Sequence, residues 1–164
     1  MSSKYEYLKK YINLDNPDRE ISTSFFPITE EEVIEAEKRL GFRFPEQLRN
    51  FYMEIGYGFF ESNHDRSVIQ KDWPNRLLDP ASLVDIKLLG YDSGQITSDV
   101  EFAEEDLPFF EIANGNSFFC LKPQSAHPNR VYDADDVVAE SLEEFIWKLY
   151  YVSPIYYFDL DFYD

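Results

Sequence analysis

The feature that most constrains this chain is a stretch at residues 27–58 in which two short helices are predicted to meet at a proline. Thr29 is a good N-cap, Glu32 completes a capping box, and Gly41 permits the left-handed turn that ends a helix. Pro45 suits the first position of a second helix, because a helix leaves that N–H without a partner in any case. Apolar residues recur at helical spacing in both helices, so each must pack one face against a core.

Downstream, the sequence changes from helical spacing to strand-like runs. The strongest hairpin signal lies at residues 109–121, where apolar runs flank Asn114–Gly115, a pair typical of type I′ turns. Shorter strands are predicted at 130–133 and 137–139, and Ser141 then caps a closing helix. Helices first, then antiparallel strands, then a helix indicate an α+β fold in which helices pack around one antiparallel central sheet.

A chain of 164 residues is predicted to form one domain, residues 1–164. We expect its core at about residues 27–150 and a short first helix at 4–12. A further helix is expected at 80–89, and a partly exposed connection at 91–108. The aromatic and acidic tail that follows, 151–164, either packs onto the domain as a strand or strap, or exposes its rings as an interaction segment.

The net charge of −17 is concentrated in two segments. Residues 85–111 carry a net charge of −7 and residues 131–164 carry −8, whereas residues 1–84 are nearly balanced. Such a field repels the phosphates of nucleic acids and the surfaces of anionic membranes, and it attracts basic proteins. Charge also keeps a chain with 18% aromatic residues soluble, but solubility alone does not explain the uneven distribution.

The sequence contains none of the residue patterns that mark common catalytic or metal sites. Cys120 is the only cysteine, and its apolar neighbours predict a small buried hydrophobe. His64 and His127 stand in polar stretches without the spacing of zinc ligands. Because a single cysteine forms no internal disulfide and no apolar leader or spanning stretch is visible, we expect a cytoplasmic protein. Because the patterns of metal and cofactor sites are missing, we expect neither a metal nor a cofactor.

One stretch imitates a calcium-binding loop. Asp133, Asp135 and Glu144 fall at its first, third and twelfth positions. Val138 stands where that loop requires a glycine for its sharp turn, and Ser141 already begins a helix. We therefore do not interpret the stretch as a calcium site.

The helix–proline–helix stretch resembles the opening of the SUKH superfamily, in its Smi/Knr type. The matching positions are Glu37, Leu40, Gly41, Phe44, Pro45, Phe51 and Gly56. The hairpin at 109–121 resembles the central hairpin of that family, with Lys122 where the family pattern has an Asp, and residues 141–146 resemble its closing helix. The three matches keep the family's order and together span residues 27 to about 150.

This resemblance implies a bacterial immunity protein, which neutralises a cognate toxin, often a nuclease, by binding it in the cytosol. The acidic charge favours a basic toxin as the partner. The same resemblance also allows a regulatory scaffold of the kind that fungal relatives provide in cell-wall synthesis. A third alternative is a carbohydrate-active enzyme, because the acids at 104–106 stand near Phe109 and paired carboxylates hydrolyse glycosides.

The predicted partner-binding residues are acids of the stretches 99–106 and 133–136, together with aromatic residues as anchors. For each of them the alternative is a solvated surface charge or a core ring. The set comprises Trp73, Asp99, Glu101, Glu104, Glu105, Asp106, Asp133, Asp135, Asp136, Tyr156, Tyr157 and Tyr163.

Overall fold

The computed structural model of the protein describes residues 3–12, 23–60, 75–89, 91–92, 95–96, 102–112, 117–153 and 156–159. The α-helices are α1 (Glu30–Leu40), α2 (Glu46–Glu54), α3 (Pro80–Leu89) and α4 (Leu142–Tyr151), and short 3₁₀ helices cover Glu6–Tyr11 and Tyr156–Asp159. The strands are β1 (Ser24–Phe26), β2 (Tyr57–Phe60), β3 (Asn75–Leu77), β4 (Tyr91–Asp92), β5 (Gln95–Ile96), β6 (Leu107–Ile112), β7 (Ser117–Leu121), β8 (Val131–Asp133) and β9 (Asp136–Ala139).

Seven strands form one sheet in the order β1-β2-β3-β6-β7-β8-β9, and β4 pairs with β5 in a separate ladder. Every neighbouring pair in the larger sheet is antiparallel. The α+β fold with an antiparallel central sheet is therefore confirmed. The predicted hairpin forms the middle of the sheet as β6 and β7, while its turn at Asn114–Gly115 lies outside the described residues.

The joint between α1 and α2 follows the sequence signals. The Thr29 hydroxyl accepts the backbone N–H of Glu32 at 3.2 Å, and Gly41 ends α1 in the left-handed region at φ 85°. Gly56 follows α2 at φ 119°, and it is needed for space as well, because a Cβ there would collide with the carbonyl oxygen of Phe26 in β1. Local chemistry thus fixes where both helices stop.

Glu37 braces this joint from within. Its side chain is only 10% exposed, and one carboxylate oxygen accepts the backbone N–H of Phe44 at 2.7 Å. The other oxygen lies 3.7 Å from Nε of Arg49 in α2. A single carboxylate therefore connects α1, the loop after it and the second helix, which gives the motif's glutamate a structural role.

Helix α4 is held on the central hairpin by aromatic rings. The ring centroid of Phe145 lies 5.0 Å from that of Phe110 and 5.7 Å from that of Phe119, and both contacts are edge to face. Phe119 also meets Tyr157 at 4.9 Å, and the Tyr157 hydroxyl donates a hydrogen bond to the buried Asn75 at 2.9 Å. These rings form much of the core between α4 and the sheet.

Two local predictions differ from the structure. The predicted first helix is present, but it is a 3₁₀ helix of six residues, Glu6–Tyr11, and is shorter than the expected 4–12. The partly exposed connection expected at 91–108 ends two residues earlier than predicted. Leu107 and Pro108 already belong to β6 and are buried there. Proline usually argues against a central strand, but here the register shifts between Pro108 and Phe110, and such an irregularity accommodates it.

Three further predictions are confirmed. The helix expected at 80–89 forms as α3, and Asp79 caps it by accepting the backbone N–H of Ser82 at 3.2 Å. Ser141 accepts the N–H of Glu144 at 3.1 Å and caps α4. Cys120 is buried, and burial raises the pKa of its thiol, so that it remains protonated and inert at neutral pH.

Phe119→Ala should lower the free energy of unfolding by about 3–5 kcal/mol, because the substitution removes a buried ring and leaves a cavity beside Phe110, Phe145 and Tyr157. Urea denaturation measures the change. Val137→Ala, at a side chain that is 39% exposed, is the matched control and should cost far less. A loss below about 1 kcal/mol for Phe119→Ala would contradict the core packing of α4 on the hairpin.

Substitutions at Gly41 should act through the backbone alone, because a Cβ at this position meets no atom within 4 Å. Gly41→Ala should cost about 1–2 kcal/mol for the left-handed conformation, and Gly41→Val should cost more. Gly41→Asn is the control, since asparagine tolerates this region better. Thermal unfolding checks the order Gly, Asn, Ala, Val, and equal melting temperatures for all four would contradict it.

Candidate protein-binding surface

The structure brings the two predicted groups of acids together around one lysine. The ammonium of Lys122 lies 2.9 Å from a carboxylate oxygen of Asp106, 3.3 Å from Glu105 and 3.8 Å from Asp135. It also lies 5.1 Å from the ring centroid of Tyr132. We call this region the acidic surface, and it consists of Glu104, Glu105, Asp106, Asp133, Asp135 and Asp136 around Lys122.

The sheet explains why these distant stretches meet. Asp106 stands immediately before β6 and Lys122 immediately after β7, and the antiparallel pairing of Leu107 with Leu121 places the two side by side. Tyr132 in β8 pairs with Cys120 in β7, so the side chain of Lys122 lies over the Tyr132 ring and reaches Asp135 in the β8–β9 turn. The acidic surface is therefore built from the neighbouring ends of β6 and β7 and from the β8–β9 turn, which the Lys122 side chain connects.

The turn that carries Glu104 and Glu105 is held in place by hydrogen bonds. The Asp106 carboxylate accepts the N–H of Ala103 at 3.2 Å, and the N–H of Asp106 donates to the Ala103 carbonyl at 3.0 Å. Lys87 of α3 donates to the carbonyls of Ala103 at 2.8 Å and Glu104 at 2.9 Å. Burial lowers the pKa of Lys87. Both glutamates are thus presented to solvent on a fixed backbone.

The β8–β9 turn presents three aspartates. Asp133 pairs with Asp136, and between them Ala134 has a φ of 54°, which is unfavourable for a residue with a side chain. The Asp135 side chain is 99% exposed. Burial raises the pKa of the half-buried Asp133, and the neighbouring Asp136 raises it further. Two features of this turn therefore destabilise the folded state: the left-handed backbone conformation of Ala134 and the ionised carboxylate of Asp133.

Lys122 limits the repulsion among these acids. Only 12% of its side chain is exposed. Burial alone lowers its pKa, but the hydrogen bonds to Asp106 and Glu105 outweigh burial and hold the pKa above its ordinary value. Sequence reasoning did not assign Lys122 to the site. The available signal was its position, directly after the hairpin and in place of the family's Asp.

Two of the four predicted aromatic anchors, Tyr156 and Tyr157, are buried and not exposed. Tyr156 and Tyr157 are 5% and 4% exposed, because the 3₁₀ helix that carries them packs onto the core. Of the two interpretations of the tail, the structure supports a packed strap for these tyrosines and contradicts exposed anchors. The other four predicted residues lie outside the described residues; they are Trp73, Asp99, Glu101 and Tyr163.

The surface has little in common with a sugar-cleaving site. Phe109, which the carbohydrate-active alternative needs beside the acids, is 0% exposed and packs against Phe145 at 5.8 Å. Among the described residues, no group of three or more His, Cys, Asp or Glu side chains is arranged to hold a metal ion. Over the same part of the chain, no helix has the length and apolar character that crossing a membrane requires.

Comparisons with known proteins agree with the resemblance in the sequence. A family model described as the SMI1/KNR4 family (SUKH-1) matches residues 27–148, a range that runs from the residues before α1 into α4 and includes the acidic surface. The chain is also 33% identical over 140 residues to a protein of Bacillus subtilis (strain 168) named immunity protein YxxD. That alignment covers 83% of this chain and 88% of the relative.

Asp133→Asn should stabilise the protein at neutral pH. Because the folded state raises the pKa of Asp133, it binds this proton more readily than the unfolded chain does, and the ionised carboxylate opposes folding. The melting temperature of the variant should exceed that of the wild type at pH 7. The gain should vanish as the pH falls below about 4, where the wild-type carboxyl is protonated in both states.

Asp135→Asn, at the fully exposed neighbouring position, is the control for this prediction and should change the melting temperature little. A gain for Asp133→Asn that persists at low pH would show that packing, and not ionisation, explains the effect.

Proposed function

The chain belongs to the SMI1/KNR4 family (SUKH-1), and on that basis we propose that it is an immunity protein that neutralises a cognate toxin by binding it. The observation that carries the proposal is its 33% identity, over most of both chains, to a protein named as an immunity protein. The acidic surface supports the same conclusion, because it gives the fold a charged face suited to a basic partner.

In this proposal the toxin is a basic protein such as a nuclease. A nuclease presents cations where it holds the phosphates of its substrate. The exposed carboxylates of Glu105 and Asp135 would compete for those cations, and the net charge of −17 would speed the encounter. Docking there would exclude the nucleic acid from its binding site. A toxin that acts on nucleic acid inside the cell would be met in the cytoplasm, which we propose as the location.

We further propose that the protein acts by binding and not by catalysis. Four of the six acids of the acidic surface are exposed on turns, whereas acid–base catalysis needs a carboxyl held against a substrate in a sheltered site. Asp106 is already engaged with Lys122 and with the backbone of its own turn. No feature of the described surface favours the cell-wall scaffold over this proposal.

The association of the protein with its toxin should slow steeply as salt increases, while dissociation changes little. Replacing Asp133, Asp135 and Asp136 together with lysine should slow association by about tenfold or more at low salt. Stopped-flow mixing with the product of the neighbouring gene, tested as the cognate toxin, measures both rates. An association rate that is the same at low and high salt would contradict electrostatic steering, and absence of binding would contradict the immunity role.

The matched control makes the same change in net charge on another face. Glu31, Glu35 and Glu46 are exposed on α1 and α2, and replacing them with lysine should slow association much less. Thermal unfolding of both triple variants verifies that they fold. Equal slowing by the two variants would show that total charge, and not the acidic surface, governs the encounter.

A further inference from the structure

A cluster of aromatic rings lies where helix α4 meets the first 3₁₀ helix. Tyr7 contacts both Tyr150 and Tyr151 with centroid distances of 5.3 Å, and Tyr151 contacts Trp147 at 5.0 Å. The hydroxyl of Tyr11 lies 3.0 Å from that of Tyr150. We call these five residues the aromatic face. None of them belongs to the acidic surface described above.

Two rings of the aromatic face are exposed, and the other three, those of Tyr7, Tyr11 and Tyr150, are partly buried against the core. Trp147 is 49% exposed and Tyr151 is 54% exposed, and Val152 beside them is 61% exposed. Helix α4 already buries Phe145 and Leu149 on its inner side, so these residues are not needed to hold it on the sheet. Single exposed apolar residues are common, but a contiguous group of large rings marks an interaction site.

The rings hold one another in position before any partner arrives. Tyr150 and Tyr151 meet edge to face at 4.7 Å, and Tyr7 packs against both of them. Tyrosine and tryptophan dominate the energetically important centres of protein interfaces. Rings that are already packed lose little side-chain freedom on binding, which favours tight contact.

Charged groups of both signs flank the aromatic face, including Lys9 and Lys10 of the 3₁₀ helix and Glu54 and Glu143 near Tyr7. The ammonium of Lys10 lies 5.4 Å from the ring centroid of Tyr11 and 6.0 Å from that of Tyr150, so the face already binds one cation within the chain. Burial raises the pKa of Tyr7, and the carboxylates of Glu143 and Glu54 raise it further, which places negative charge beside the rings. Within the described part of the chain, no ion pair engages Glu143.

We propose that the aromatic face is a second contact surface for the toxin and binds arginine side chains of the toxin's basic surface. This inference rests on the proposed immunity function. Arginine suits the site because its flat guanidinium stacks on tyrosine and tryptophan rings and bonds to carboxylates such as Glu143 at the same time. The net charge of −17 favours such a partner over an acidic one.

In this proposal the acidic surface controls the association rate, and the aromatic face controls the dissociation rate. Exposed carboxylates act at a distance and set the association rate. Aromatic contacts act only after docking, so they set how long the complex lasts. Removing a ring should therefore change the dissociation rate and leave the salt dependence of association intact.

Trp147→Ala and Tyr151→Ala should each raise the dissociation rate of the toxin complex by about tenfold or more, as measured by biolayer interferometry with the toxin encoded by the neighbouring gene. Leu88→Ala, at a leucine of α3 that is 51% exposed, is the matched control and should change the rate less than about twofold. Because Trp147 and Tyr151 are exposed, melting temperatures should stay close to that of the wild type.

The outcomes separate this inference from the immunity role. If the wild type binds and Trp147→Ala dissociates as slowly as the wild type, the aromatic face is not a contact and the immunity role stands. If the wild type does not bind the toxin, both proposals fail. If sedimentation shows a dimer of the wild type that Trp147→Ala dissociates, the face is covered by a second copy of the chain, and the inference is overturned.

A peptide titration tests the cation preference directly. Trp73 is the only other tryptophan, so a Trp73→Phe background leaves Trp147 as the single tryptophan, whose emission can be excited selectively over that of the tyrosines. Acetyl-tetra-arginine amide should quench or shift this emission, acetyl-tetra-glutamine amide should not, and Glu143→Gln should weaken the response to arginine. Equal responses to the two peptides would overturn the preference for arginine.

Discussion

The packing of Phe145 into the β6–β7 hairpin is the interaction on which the rest of the structure depends. It fixes α4 against the middle of the sheet through Phe110 and Phe119. With α4 in place, its inner side completes the core and its outer side carries Trp147 and Tyr151 to the surface. The same hairpin ends in Asp106 and Lys122, around which the acidic surface is built. One aromatic contact thus orients both proposed binding surfaces.

Much of the local structure could be predicted because its causes lie within a few residues. The caps at Thr29 and Ser141 and the stop at Gly41 depend on side chains next to the backbone groups they satisfy. Strand β6 begins two residues earlier than predicted, because whether a strand accepts Pro108 depends on the register of the partner strand, which the sequence near it does not contain.

The candidate site was predictable in its acids and not in its assembly. Charge counting identified the stretches at 99–106 and 133–136, but the meeting of Glu105, Asp106 and Asp135 at Lys122 follows from the pairing of strands far apart in sequence. The burial of Tyr156 and Tyr157 was missed for a related reason, because composition cannot tell a ring that packs on the core from one that meets a partner. Trp147 and Tyr151 were overlooked because the apolar face of α4 accounts for its helical periodicity. Aromatic residues on the opposite side of a helix carry no periodic signal of their own.

Strand β9, which carries Asp136 and the exposed Val137, is the last strand of the sheet. An edge strand offers unpaired backbone groups on which another chain can add a strand, and this sheet is rich in phenylalanine. Asp135 and Asp136 put negative charge at the start of that edge, so a second copy approaching it meets its own like charge. The same carboxylates therefore also oppose the edge-to-edge pairing of identical chains.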